Sequence, residues 1–314
     1  MPKAKGFKEW DGTRDSHWAL NTTVRCQHRC VYCFEGKRVG IKDVAPEQTK
    51  KIIARAAGKV ESVIFMGAEP TLNPALPELI RYATRLGLRA NISTNAVRLA
   101  SWDYLLALHE AGLSTIELSF PYPDEAVYAR ITRAKPSGFS RLLQALDNIA
   151  RLNRSSPAGR GPAVHVNLVV SRFNIDRLDE VIGHLTRHLA PGSFIVTLKR
   201  VGRPLDSDEK IFSDVSVSCA ELRRILPRLA VHAAAGVRLG FRDLPLCAIP
   251  GLEMRDDDLG YWLNEVRVRQ NFFKQERMED MYPQQRARGA HPFAWICENC
   301  GLDPICLSRD LFLD

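Results

Sequence analysis

Cys26-Gln27-His28-Arg29-Cys30-Val31-Tyr32-Cys33 stands at the end of a short run, Trp18–Thr23, that reads as a strand (Ala19–Thr23 at its core). Three cysteines spaced C-x3-C-x2-C, with an aromatic just before the last, suit one corner of an iron–sulfur cube. Thiolates bind iron well, and three of them leave the fourth iron without a protein partner. An open metal position is where chemistry takes place, as at catalytic zinc sites. A zinc site, a disulfide framework and unrelated thiols are the other readings of these residues, although neither zinc nor a disulfide needs Tyr32 or this spacing.

Downstream the chain alternates. Pro46–Ala57 is helix-like, with a proline near its start, apolar Ile52, Ile53 and Ala56, and Gly58 as a stop. Val60–Met66 has the short, β-branched character of a parallel strand, and Gly67-Ala68-Glu69-Pro70 follows at once. The pattern then repeats: helix Pro74–Leu86, strand Arg89–Ser93, helix Leu99–Ala111, strand Thr115–Ser119, and helix Phe139–Leu152. A polar loop, Asn153–Pro162, leads to strand Val164–Val170, helix Ile175–His188 and strand Phe194–Leu198. Six strands separated by helices predict an α/β chain with a parallel sheet and right-handed crossovers. In such folds the chemistry sits at the carboxyl ends of the strands. The cysteine loop, Glu69, Ser93–Asn95 and Ser119 all fall there.

The chain has 314 residues, 45% of them hydrophobic and 25% charged, which is ordinary for a globular protein of about two domains. No apolar run approaches the ~18 residues of a membrane span. Met1–Asp15 carries Lys3, Lys5 and Lys8 but no apolar core, unlike a secretory signal. The eight cysteines then read as reduced and metal-binding in a cytoplasmic protein. The net charge of +8 is uneven: residues 1–200 hold 29 Lys and Arg against 18 Asp and Glu, and residues 201–314 hold 15 against 18. A basic first part could attract an acidic or phosphate-bearing substrate. Nothing matches a nucleic-acid module, so neither nucleic acid nor membrane is an expected partner.

The cysteine loop and Gly67–Pro70 together resemble the radical S-adenosylmethionine (SAM) superfamily. That resemblance implies a partial (β/α)6 barrel over residues 17–215, after an N-terminal tail, 1–16. It implies a 4Fe–4S cluster on Cys26, Cys30 and Cys33 whose open iron takes the amino and carboxylate groups of SAM. One electron from the cluster cleaves the sulfonium, and the resulting 5′-deoxyadenosyl radical removes a substrate hydrogen. A low-potential donor such as flavodoxin or ferredoxin is the implied partner. Gly67, Ala68, Glu69 and Pro70 resemble the Gly-Gly-Glu-Pro loop that receives the ammonium of SAM, with Ala68 in place of the second glycine. Tyr32, Ser93, Thr94, Asn95, Ser119, Arg130 and Asn167 are the further cofactor-facing candidates, while short polar side chains at strand ends also serve as helix caps.

The last hundred residues differ. Glu221–Ala235 is helix-like but interrupted by Pro227, so it reads as kinked or as two pieces, and Val237–Arg242 could form a further strand. Cys247, Cys297, Cys300 and Cys306 are four thiols, the number that saturates a second cluster or a zinc ion. Cys297-x2-Cys300-x5-Cys306 resembles part of the SPASM and twitch extensions, which add auxiliary 4Fe–4S clusters. A small C-terminal cluster domain, 216–314, is the expectation. The leftover thiol, Cys219, sits beside a Ser218–Glu221 capping box in the first turn of a helix. As a hydrogen-atom donor it is a catalytic candidate, with a buried small hydrophobe as the other reading.

The expected outcome is oxidation or cross-linking of a peptide, sugar or nucleoside precursor. Redox-neutral epimerisation and a non-catalytic iron–sulfur protein are the alternatives. About 16 residues precede the first strand, too few for a peptide-binding domain, so a peptide substrate would need a separate carrier.

Overall fold

The structure, a computed structural model, describes residues 15–33, 43–157, 161–201, 213–242 and 244. Strands β1 (Asp15–Thr23), β2 (Val60–Gly67), β3 (Arg89–Thr94), β4 (Leu113–Ser119), β5 (Ala163–Val170), β6 (Phe194–Arg200) and β7 (Arg238–Arg242) form one sheet in sequence order. Every neighbouring pair is parallel. Helices α1 (Pro46–Ala56), α2 (Leu76–Arg85), α3 (Trp102–Glu110), α4 (Glu125–Thr132), α5 (Gly138–Ser155) and α6 (Leu178–His188) connect β1 to β6. Strand order that simply counts upward is the topology of a barrel wall. Among the described pairings β1 meets only β2 and β7 only β6, so the barrel is partial.

The sheet has seven strands where six were expected. After β6 come α7 (Cys219–Ile225), a 3-10 turn at Leu226–Leu229 and α8 (Ala230–Ala234), broken at Pro227, which has no N–H to donate and whose ring crowds the carbonyl four residues back. They lead into β7, which pairs with β6 from Ile195↔Arg238 to Lys199↔Arg242. Residues 238–242 therefore extend the barrel sheet itself. Sequence reading also gave no helix between β4 and Gly138, where α4 lies. Asp124 caps α4, accepting a hydrogen bond from the Val127 N–H at 2.8 Å.

The strands alternate instead of being buried on both faces. On β5, Val164, Val166, Leu168 and Val170 are buried in one continuous core with Leu142, Leu146 and Ile149 of α5 and Val181, Ile182 and Leu185 of α6. His165, Asn167 and Val169 are half-buried on the opposite, open face. Register places Ser93, Glu117 and His165 in one row across that face, and Ser119, Asn167 and Thr197 in the next. Helices on one face only leave a polar wall on the other.

The carboxyl ends of β4 and β5 are fastened by Asn174, which is 1% exposed. Its Nδ2 donates to the Pro121 carbonyl at 2.8 Å and the Val169 carbonyl at 2.9 Å, while its Oδ1 accepts from the Ser171 N–H at 2.8 Å. Removing this amide strands buried backbone groups. Asn174→Ala should cost roughly 1–3 kcal/mol, read as a lower urea midpoint with an unchanged slope.

Candidate functional site

The cysteine loop leaves β1 at an irregularity in the β1–β2 register between Asn21 and Thr23, the kind of device that re-aims a chain. Gly67 lies beside it with φ +117°, and a Cβ there would stand 2.8 Å from the Thr23 carbonyl oxygen. Position 67 therefore demands glycine. Ala68 carries no positive φ, since Ala96 and Arg133 are the non-glycine residues with one among those described. The alanine is thus accommodated where the resemblance has a second glycine. The Ala68 N–H donates to the Thr23 carbonyl at 3.2 Å and the Glu69 N–H to the Arg25 carbonyl at 3.0 Å, stitching the β2 loop to the cysteine loop.

The far side of the cysteine loop rests on α4. Arg29 N–H donates to the Thr132 carbonyl at 2.8 Å and Val31 N–H to the Ile131 carbonyl at 2.9 Å. Between them His28, 6% exposed, hydrogen-bonds through Nε2 to the Tyr128 hydroxyl at 2.7 Å. Asp43 holds the root of the loop, accepting from the Thr23 hydroxyl and the Val24 N–H, each at 2.8 Å, and from Arg25 Nε at 2.9 Å. His28, Tyr128 and Asp43 were not singled out from the sequence, because their partners lie 18 to 100 residues away.

The thiols interact electrostatically. Burial, then the neighbouring thiols of Cys33 and Cys26, push Cys30 up to about 12. Burial, with Glu69 and Cys33 behind it, pushes Cys26 up to about 11. Thiols that disfavour one another's ionisation become ligands when a cation compensates them. Among the described residues no three His, Cys, Asp or Glu side chains are grouped tightly enough to hold one metal ion. A 4Fe–4S cube asks for something different, one thiol on each of three irons, and the loop supplies three. The donor set and its coupling fit that group. Tyr32 packs its ring on the core. Its buried hydroxyl has no hydrogen-bond partner among the described residues.

Glu69 carries a hydrogen-bond network of its own. The resemblance directs its carboxylate at an ammonium, yet the side chain is 0% exposed and already holds four donors. Oε1 accepts from Thr71 N–H at 3.1 Å and from the Thr71 and Thr94 hydroxyls, each at 2.6 Å; Oε2 accepts from Asn95 N–H at 2.7 Å. Burial pushes the carboxyl up, and these donors pull it back. In this structure Glu69 is a knot between the ends of β2 and β3. Thr94 is spent on the same knot and is 4% exposed, and Pro70 is buried at the start of the 3-10 turn Pro70–Leu72.

Asn95 does face the thiols. Its Nδ2 lies 3.8 Å from Cys26 Sγ, and its Oδ1 accepts from Gln27 Nε2 at 2.9 Å. Ser93, Ser119 and Asn167 lie half-buried on the open face. Arg130 is exposed on α4, its guanidinium 4.4 Å from the Phe173 ring centroid. The open face adds residues that sequence reading passed over. Burial lowers the pKa of His165, Glu117 raises it, and Arg238 and Lys199 lower it further, so these four groups share one stretch of wall. Cys219 occupies the first turn of α7 with the Ser218–Glu221 capping box formed as read, the Glu221 N–H donating to Ser218 Oγ at 3.2 Å. Its side chain, and Cys247, Cys297, Cys300 and Cys306, lie outside the described residues.

Comparison with known proteins agrees. The family model described as the radical SAM superfamily matches residues 20–185. PqqA peptide cyclase of Rhodopseudomonas palustris is 32% identical over 167 residues, 52% of this chain and 41% of that protein. The 7,8-dihydro-6-hydroxymethylpterin dimethyltransferase of Methanocaldococcus jannaschii is 35% identical over 115 residues, 35% of this chain and 23% of that one. The matches thus span less than half the length of these curated relatives. Among solved structures, Streptococcus suis SuiB bound to precursor peptide SuiA superposes with a TM-score of 0.62 at 16% identity, over 94% of this chain and 71% of that one. At that identity the likeness is one of fold.

Burial lowers the pKa of His28 to about 4 from 6.5, so between those values the unfolded chain binds more protons than the folded one. Stability should rise with pH through this window and be lost as pH falls from 6.5 towards 4, by about 3 kcal/mol in full. Urea midpoints of metal-free protein across that range should show this slope, and His28→Gln, which does not titrate, should flatten it.

Proposed function

This chain belongs to the radical SAM superfamily, and on that premise we propose that it cleaves SAM reductively to modify a peptide. The observation that carries the proposal is the three-thiol loop at the carboxyl end of β1, tied through Asn95 and Glu69 to the ends of β2 and β3. When bound, the cluster and SAM supply a 5′-deoxyadenosyl radical that takes a hydrogen atom from the substrate.

The protein's own residues do the positioning. Cys26, Cys30 and Cys33 would hold three irons, and the loop that carries them is braced by α4 on one side and Asp43 on the other. Gly67, Ala68 and the peptide carbonyls before Pro70 line the edge that would meet the methionyl ammonium, with Glu69 as the knot that shapes that edge. Ser93, Asn95, Ser119 and Asn167 are the polar groups available to the nucleoside and carboxylate. Tyr32 packs beneath the cluster loop, while Arg130 stands on the rim against Phe173. Glu117, His165, Lys199 and Arg238 remain for the substrate.

A peptide is favoured as substrate because PqqA peptide cyclase is similar in sequence and SuiB, solved with a precursor peptide, is similar in fold. The C-terminal thiols are read as an auxiliary cluster or zinc site, in the small C-terminal domain proposed over residues 216–314, whose β7 joins the barrel sheet. Cys219 stays the candidate hydrogen donor of an epimerase, and flavodoxin or ferredoxin the electron source.

Anaerobically reconstituted protein should convert SAM to 5′-deoxyadenosine when reduced. Changing Cys26, Cys30 and Cys33 together to Ala should remove about four irons per chain and abolish the product. Continued 5′-deoxyadenosine formation by the triple variant would reject the assignment. Deuterium transfer from a labelled precursor peptide into 5′-deoxyadenosine would establish the substrate class.

A further inference from the structure

The hydrogen bonds around Asn95 fix which way its amide points. Oδ1 accepts from the Val97 backbone N–H at 3.2 Å as well as from Gln27 Nε2 at 2.9 Å. A backbone N–H is always a donor, so the oxygen must lie on that side and the NH2 on the other. That NH2 is the group 3.8 Å from Cys26 Sγ. The Asn95 main chain is clamped in turn, its N–H donating to Glu69 Oε2 at 2.7 Å. A second donor reaches the same sulfur, the His28 backbone N–H at 3.3 Å. Cys26 Sγ is thus met by two N–H donors, one held by the loop's own turn and one delivered from β3.

We infer that Asn95, oriented by Gln27, is a positioning residue that raises the reduction potential of the cluster by donating to the Cys26 sulfur. The inference rests on the reading that Cys26, Cys30 and Cys33 hold that cluster. A reduced cluster carries one more negative charge than an oxidised one, and part of that charge resides on the cysteine sulfurs. An N–H aimed at such a sulfur stabilises the reduced form more than the oxidised form. The sequence resemblance gave Asn95 a contact with SAM; the geometry adds a role that operates before SAM arrives. Gln27 acts one step removed, because without it the Asn95 carbonyl loses one of its two restraints.

The test is a redox titration of reconstituted protein, followed by electron paramagnetic resonance without SAM. The signal assigned to this cluster is the one that later addition of SAM perturbs. In Asn95→Ala the ratio of reduced to oxidised cluster at a fixed potential should fall about threefold, a negative shift of about 28 mV at 59 mV per tenfold. Gln27 is exposed, and Gln27→Ala should shift the ratio the same way by about 1.5-fold. Where Asn95→Ala loads iron it decides, and a wild-type ratio overturns the inference. Where it fails to load, Gln27→Ala decides in the same way. A wild-type protein with no SAM-perturbed signal would instead overturn the cluster reading itself, and this inference with it.

Discussion

One buried carboxylate organises the site. Glu69 has no contact with bulk water, and an ionised carboxylate in that position is tolerable only because its lone pairs are filled. The donors come from Thr71, one turn on, and from Thr94 and Asn95, at the end of the next strand. Filling them brings the ends of β2 and β3 to a fixed separation. Since the Glu69 N–H also reaches the Arg25 carbonyl, the end of β1 is drawn into the same arrangement. The three strand ends that present the thiols, the glycine edge and Asn95 are therefore one construction.

That construction works because the rest of the barrel keeps its faces distinct. The helices bury one side of the sheet in a continuous apolar core, so the strands carry hydrophobic residues at every second position. The intervening positions are free to be polar, and from β3 to β6 they supply Ser93, Glu117, His165, Asn167, Thr197 and Lys199. Alternation in a parallel sheet is the signature of a wall that faces a cavity instead of a second helical layer.

The repeating strand–helix pattern was readable because each strand is a compact β-branched run and most helices stop at a glycine. Helix α4 escaped notice because it is short and lies between Pro123 and Pro136, though Asp124 ahead of Val127 was a legible cap. The thiol loop was readable because its ligands are neighbours in sequence. The environment of Glu69 was not, because a chain read along its length does not reveal whether a carboxylate has donors waiting in the fold. Ala68, which stands where the resemblance has a second glycine, is accommodated because the positive φ falls on Gly67. The seventh strand, by contrast, was visible as a β-branched and aromatic stretch, and only its membership of the barrel sheet needed the pairing with β6.

The bracing of the cysteine loop by α4 has a bearing on biosynthesis. Chains emerge from the ribosome amino-terminal end first, at roughly 5–20 residues per second. Cys26, Cys30 and Cys33 are therefore in the chain for about 5–20 s before Tyr128, Ile131 and Thr132 exist to hold their loop.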